Sequence, residues 1–174
     1  MRTVSWCCAA ALAGILTAST APAQPPLPKP GAEHAILKKM EGAWDATMKF
    51  GGMESKGTMT YKMDLGGLWL VSSFDGEFGG MKFQGKGLDS YDAGKKKYVG
   101  VWVDSMVTAP MLFEGDYDKA KKTLTMVGDG PGLDGKPAKW KSVTEMPDEN
   151  SINFGMYLGD GKEPMFTITY KRKK

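Results

Sequence analysis

Asp104 is the acid whose neighbours could give it chemistry. It closes the run KYVGVWVD (97–104), in which Tyr98, Trp102 and Asp104 fall on alternate positions. On a strand those three side chains share one face. A carboxyl turned into an apolar interior holds its proton to higher pH, and could orient a polar group of a ligand or serve as a general base. The same residue could instead end its strand and cap a turn through Ser105. Glu114 is a second acid on a neighbouring segment, but no spacing brings it to Asp104, so paired-carboxylate catalysis lacks support.

Other chemistry is short of material. His34 is the only histidine, and Cys7 and Cys8 are the only cysteines. One histidine and no cysteine downstream leave nothing for a Ser-His-Asp or Cys-His centre, and too little for a three-ligand zinc site. His34 reads as a solvated helix residue. Of 13 methionines, all but Met1 lie beyond the N-terminal segment, and Met48, Met59 and Met63 fall on adjacent strands. Thioethers bind Cu(I), yet they also serve as adaptable filler of cores and lumens, which is the reading adopted. Gly85-Lys86-Gly87 has no following helix to make it a phosphate loop. Asp129–Lys136 lacks the acid spacing of a calcium loop. Lys171–Lys174 is a solvated basic end. No cofactor and no metal is expected.

The elements that must position these residues follow a two-residue rhythm. A short helix is expected over Ala32–Met40, with Ile36, Leu37 and Met40 on one stripe and Gly42 ending it. From Ala43 onward apolar and polar residues alternate, and turn signals such as Gly51-Gly52, Gly66-Gly67, Gly79-Gly80 and Asp160-Gly161 recur every 8 to 14 residues. Ten strands are expected. They include Leu68–Phe78, Met81–Tyr91, Thr108–Tyr117, Thr123–Val127 and Lys139–Met146, with a loop over Asp129–Lys136. Such an all-β antiparallel meander either stacks as a sandwich or closes as a barrel. Closure is preferred because it removes two long sheet edges. Ten strands should leave more room inside than the eight that just enclose one small ligand.

Composition agrees with a folded domain. Of the 174 residues, 41% are hydrophobic and 25% charged, and the formal charge is +3. Arg2, the uncharged run Val4–Ala18 and Ala21-Pro22-Ala23 together read as a secretory signal peptide over 1–23. A Pro-rich linker over 24–31 would follow, then one barrel domain over 32–174. Cleavage would remove one Arg and both cysteines, leaving 22 basic against 20 acidic side chains. That balance makes no case for nucleic acid, and no later stretch is apolar enough for a membrane-spanning helix. The destination is periplasmic or extracellular.

Gly42-Ala43-Trp44, between the helix and the first strand, resembles the Gly-x-Trp opening of calycin-type barrels such as lipocalins and fatty-acid-binding proteins. That resemblance implies that Trp44 packs at the closed end beneath a basic residue of the last strand. Arg172, in phase with Phe166, Ile168 and Tyr170, is the residue that fits. More closely, the chain resembles a secreted bacterial family known as domain of unknown function 1579. The resemblance rests on Leu65-Gly66-Gly67, on Gly85-x-Gly87 with Tyr91-Asp92, on Tyr98-Val99-Gly100-x-Trp102-x-Asp104-Ser105-Met106, and on Gly115-x-Tyr117-Asp118 with Thr123-Leu124-Thr125. Leu68 departs from it, standing where many relatives carry Arg. Nitrobindin-like haem barrels, a related type, use a histidine on a strand near the C-terminus, and this chain has none there.

Three roles are open on this reading. A small apolar or amphipathic ligand could be held without catalysis by Tyr61, Tyr98, Trp102, Asp104, Met48 and Met59, with Trp44 and Arg172 closing the base. A filled barrel could act as a structural or interaction module, showing an apolar patch near Trp69 and Val71. An enzyme could use Asp104 as a base. Oligomeric state is open.

Overall fold

A computed structural model describes residues 27–174. The signal segment 1–23 and the first part of the linker lie outside the described residues. The helix α1 (Ala32–Lys38) is followed by ten strands: β1 (Gly42–Phe50), β2 (Met53–Asp64), β3 (Trp69–Phe78), β4 (Met81–Asp92), β5 (Lys97–Asp104), β6 (Met111–Asp118), β7 (Thr123–Pro131), β8 (Pro137–Asp148), β9 (Ser151–Leu158) and β10 (Phe166–Arg172). Each strand pairs antiparallel with the next, and β1 pairs with β10, so the sheet closes into a barrel. This is the expected meander, without free edges.

Alternation places the core. Trp44, Ala46 and Met48 of β1 are buried, as are Met59 and Tyr61 of β2, Leu70, Ser72 and Phe74 of β3, and Ile168 and Tyr170 of β10. Intervening residues such as Lys56, Thr60, Lys62, Ser73 and Lys171 face solvent. A one-residue slip of any strand would exchange the two sets, which fixes the register.

Boundaries differ from expectation where hairpins are tighter than the loops read from sequence. The Asp129–Lys136 loop shrinks to a turn, because Gly132 donates to the Lys136 carbonyl (2.6 Å) and Gly135 to the Gly132 carbonyl (3.0 Å). β7 therefore continues through Pro131. β6 starts only at Met111, directly after Pro110, which has no N–H for a ladder.

The interior is fuller than ten strands suggest. One buried cluster runs from Leu37 and Trp44 through Met59, Phe74 and Tyr98 to Met126 and Tyr170. A smaller one joins Met111, Trp140 and Met156. Gly85 and Gly87 show how space is used. A β-carbon at Gly85 would lie 2.1 Å from the Trp102 indole, and one at Gly87 3.2 Å from it. The indole therefore lies flat on the inner face of β4, and only glycine leaves room beneath it.

Candidate functional site

The base of the barrel is built around Trp44 and Arg172, which are cross-strand partners. Trp44 is 1% exposed and donates Nε1–H to the Met40 carbonyl at 2.8 Å. The Arg172 guanidinium lies 4.1 Å from the Trp44 ring centroid. Its N–H groups donate to the carbonyls of Glu149 (2.7 Å), Glu41 (2.5 Å) and Lys39 (2.8 Å). A cation on the inner face is thus satisfied by one π face and three carbonyls, two of them just beyond the C-terminus of α1. Gly42 is needed there twice over. Its φ is +129°, and a β-carbon would meet Arg172 Nη1 at 2.6 Å.

His34 is not solvated, contrary to the sequence reading. It is buried, and its Nδ1 accepts from the Gly31 N–H at 3.1 Å. The ring proton then belongs on Nε2, which is buried without a partner among the described residues and stands edge-on to Tyr91. The i+3 spacing from His34 to Leu37 carried that signal, since both lie on the buried stripe of α1.

The proposed ligand residues do not gather at one place. Tyr98 and Asp104 occupy opposite ends of β5, about 20 Å apart at 3.3 Å per residue. One small molecule cannot touch both. Tyr98 serves the closed end, where its hydroxyl donates to the Glu33 carbonyl at 3.1 Å and ties α1 to the wall. Burial, with Glu33 and the neighbouring tyrosines, pushes its phenol up to about 12. Asp104 shares the inner face with Trp102 but sits at the open rim. It accepts Trp102 Nε1–H at 3.0 Å and the Met106 N–H at 2.9 Å, so both oxygens are engaged. Met48 and Met59 are core, 3% and 4% exposed.

The carboxyl that does face the interior without a partner is Asp89, which sequence reading passed over. It is in phase with Phe83, Gly85, Gly87 and Tyr91 on the inner face of β4, opposite Leu70 and Gly100. Its Oδ1 lies over Gly100, 2.3 Å from where a β-carbon would stand, and the Met126 methyl borders the same space at 3.5 Å. No described side chain or N–H donates to it. Burial alone raises its pKa to about 7. Two phenols share this region: Tyr61 and Tyr170 pack edge-to-face, with centroids 6.5 Å apart. Burial drives both phenols up, and the Asp89 charge adds to the effect on Tyr61. Asp89 is not sealed, since part of its surface borders open space. Towards the rim the inner face continues through partly exposed Phe113, Trp102, Phe154 and Phe166.

Two clefts lie elsewhere. One of about 200 Å³ sits beside α1, floored by Tyr91, Tyr98 and Tyr117, with Lys96 and Lys119 on its walls. Another of about 330 Å³ lies at the rim of β3–β5, between Asp75, Gln84, Lys86 and Asp104. Asp89 lines neither. Among the described residues no His, Cys, Asp and Glu cluster could hold a metal ion, and no helix is long and apolar enough to cross a membrane.

Over residues 29–172 the chain matches the family described as "Protein of unknown function (DUF1579)". No curated protein matches it. Among solved structures it is similar to a redesigned β-barrel, at 17% identity and a TM-score of 0.45, over 80% of this chain and 96% of that one.

Proposed function

We propose that this chain, which belongs to the DUF1579 family of proteins of unknown function, binds a small, mainly apolar molecule carrying a hydrogen-bond donor, without catalysis. Asp89 carries the reading. A carboxyl held this deep costs stability unless something pairs with it, and such groups concentrate at binding and catalytic sites. The donor of the ligand would reach Asp89, with Tyr61 and Tyr170 beside it. Its apolar body would lie along Met126, Phe113 and Trp102 towards the rim. Asp104 holds Trp102 in place rather than touching the ligand. The stacking of Arg172 on Trp44 supports a calycin-like barrel. Arg2, the apolar run 4–18 and Ala21-Pro22-Ala23 support export, with cleavage before Gln24.

The probes are 2-phenylethylamine, 3-phenylpropan-1-ol and 3-phenylpropionate, which share a body and differ in charge. Tryptophan fluorescence should saturate with the amine and the alcohol, and respond at least tenfold more weakly to the carboxylate. Asp89→Asn should erase the preference. Equal, non-saturating responses to all three would reject a lumenal site. The N-terminal mass of the protein from its own host tests the cleavage.

A further inference from the structure

The closed end of the barrel is only partly plugged. α1 has seven residues, about 10 Å at roughly 1.5 Å per residue, and it packs on β2, β3 and β4. A ten-strand end is wider than that, and the cleft of about 200 Å³ is the gap left over β5 and β6. Its floor is aromatic because Tyr91, Tyr98 and Tyr117 are the inner-face residues nearest this end of β4, β5 and β6. Two of these tyrosines lead into hairpins of one design. After Tyr91, Asp92 Oδ1 accepts the N–H groups of Gly94 (2.8 Å) and Lys95 (3.0 Å). After Tyr117, Asp118 Oδ1 accepts those of Ala120 (2.9 Å) and Lys121 (3.1 Å). Each turn then closes on a lysine at positive φ, Lys96 at +55° and Lys122 at +52°, where glycine would sit at lower cost.

The two lysines differ in what they do. Lys122 Nζ donates to the Pro147 carbonyl at 2.9 Å. Lys96 has no partner among the described residues and stands on the wall of the cleft, as does Lys119 of the other hairpin, which has none either. The carboxylates of the cleft are engaged elsewhere. Asp116 pairs with Lys97, and Glu33 Oε2 lies back against Gly31, 3.1 Å from where a β-carbon would stand. The free charge of the cleft is therefore positive. We infer that the cleft is a second binding site, independent of the lumen, for a small aromatic carboxylate. The ring lies against the tyrosines, and the carboxylate takes the ammonium groups of Lys96 and Lys119. Burial, with the Asp118 charge, holds the Tyr117 phenol above its usual pKa, so it stays a donor at neutral pH. A volume below the roughly 300–1,000 Å³ of ordinary ligand pockets limits the guest to one ring.

Titration of the nitrogen-15-labelled protein with benzoate, benzylamine and benzyl alcohol, followed by amide chemical shifts, tests this. Benzoate should saturate and move the amides of Gly94, Lys96 and Ala120, and the amine and the alcohol should bind at least fivefold more weakly. Raising the salt from about 20 to about 300 mM should weaken benzoate several-fold. Lys96→Gly should weaken it at least threefold while raising the thermal midpoint, because no side chain is then held at positive φ. Lys119→Gln should weaken it without that gain. Non-saturating shifts, or benzylamine bound as tightly as benzoate, overturn the inference. So do shifts confined to Gly85 and Gly87, which belong to the lumenal wall, and benzoate affinity unchanged in Lys96→Gln with Lys119→Gln.

Discussion

At the closed base, Arg172 donates to three carbonyls and lies on the Trp44 face. On the inner face of β4, Asp89 accepts nothing from the described residues and its pKa rises to about 7. Both are ionisable groups inside one barrel wall, yet among the described residues one is fully supplied with partners and the other with none. The base reads as structure, because the Arg172 N–H groups and the Trp44 Nε1–H close gaps between α1, β1, β10 and the turn at Glu149. The wall reads as a site, because its polar group stabilises nothing present in the fold. A satisfied buried charge tells of assembly, and an unsatisfied one tells of a guest.

The largest effect expected is at the base. Trp44→Ala removes a side chain 1% exposed, together with the bond to Met40 and the surface on which Arg172 lies. A loss of about 3–5 kcal/mol is expected, read as a fall in the urea midpoint. Arg172→Lys keeps the charge but not the planar fork, so it should recover only part of what Arg172→Ala loses. If Trp44→Ala were nearly neutral, the base would not be the structural end of the comparison.

Asp89 should show the opposite sign. Its folded pKa lies above the unfolded value, so between about pH 4 and pH 7 the native state keeps a proton that the unfolded chain has released. Unfolding free energy therefore falls as pH rises through that window and levels off above it. The rise from 3.8 to about 7 sets a ceiling of about 4 kcal/mol. Asp89→Asn should flatten the dependence and stabilise the protein at pH 8, as removal of a functional strain commonly does. Urea titrations at several pH values decide. A variant less stable than the parent at pH 8 would mean that Asp89 has a structural partner.

Gly85→Ala sharpens the contrast within the wall. A methyl there would strike the Trp102 indole at 2.1 Å, so about 1–3 kcal/mol of overpacking is expected. The indole would also be pushed off Asp104, visible as a red shift in tryptophan emission. Gly100→Ala, by contrast, meets the free end of Asp89 and should mainly shift the carboxyl. The two glycines would then report separately on a filled and an unfilled stretch of the same face.

Much of this was open to sequence reading, and the misses share a cause. The rhythm from Ala43 onward specified the meander, while the match of Trp44 to Arg172 came from the resemblance of Gly42-Ala43-Trp44 to calycin barrels, phase only marking Arg172 as the basic residue of the last strand that faces inward. Phase also put Asp104 on the inner face correctly, but phase does not say how far along a barrel a residue sits. Asp104 is at the rim, where it ends β5 and accepts the Met106 N–H of the turn, the alternative that the sequence had left open beside an inward role. Asp89 carried the same signal, two residues after Gly87 and two before Tyr91.

Tyr98→Phe is the mildest test and bears on what joins the two regions. Tyr98 is buried beside Tyr91, its ring centroid 5.2 Å away, and its hydroxyl holds Glu33 in the first turn of α1. The phenol stays protonated up to about pH 12, so the bond persists across the stable range of the protein. Replacing the hydroxyl leaves the ring packing and removes one partly buried hydrogen bond, worth about 1 kcal/mol. Because α1 also depends on Leu37 in the core and on Arg172 at its C-terminal carbonyls, it should loosen without leaving. Hydrogen exchange should therefore quicken in α1 and the first residues of β1, while β3 to β5 around Asp89 keep their protection. If exchange rose equally at β4, the base and the lumenal wall would belong to one cooperative unit, and an occupant at Asp89 would then be felt at the helix.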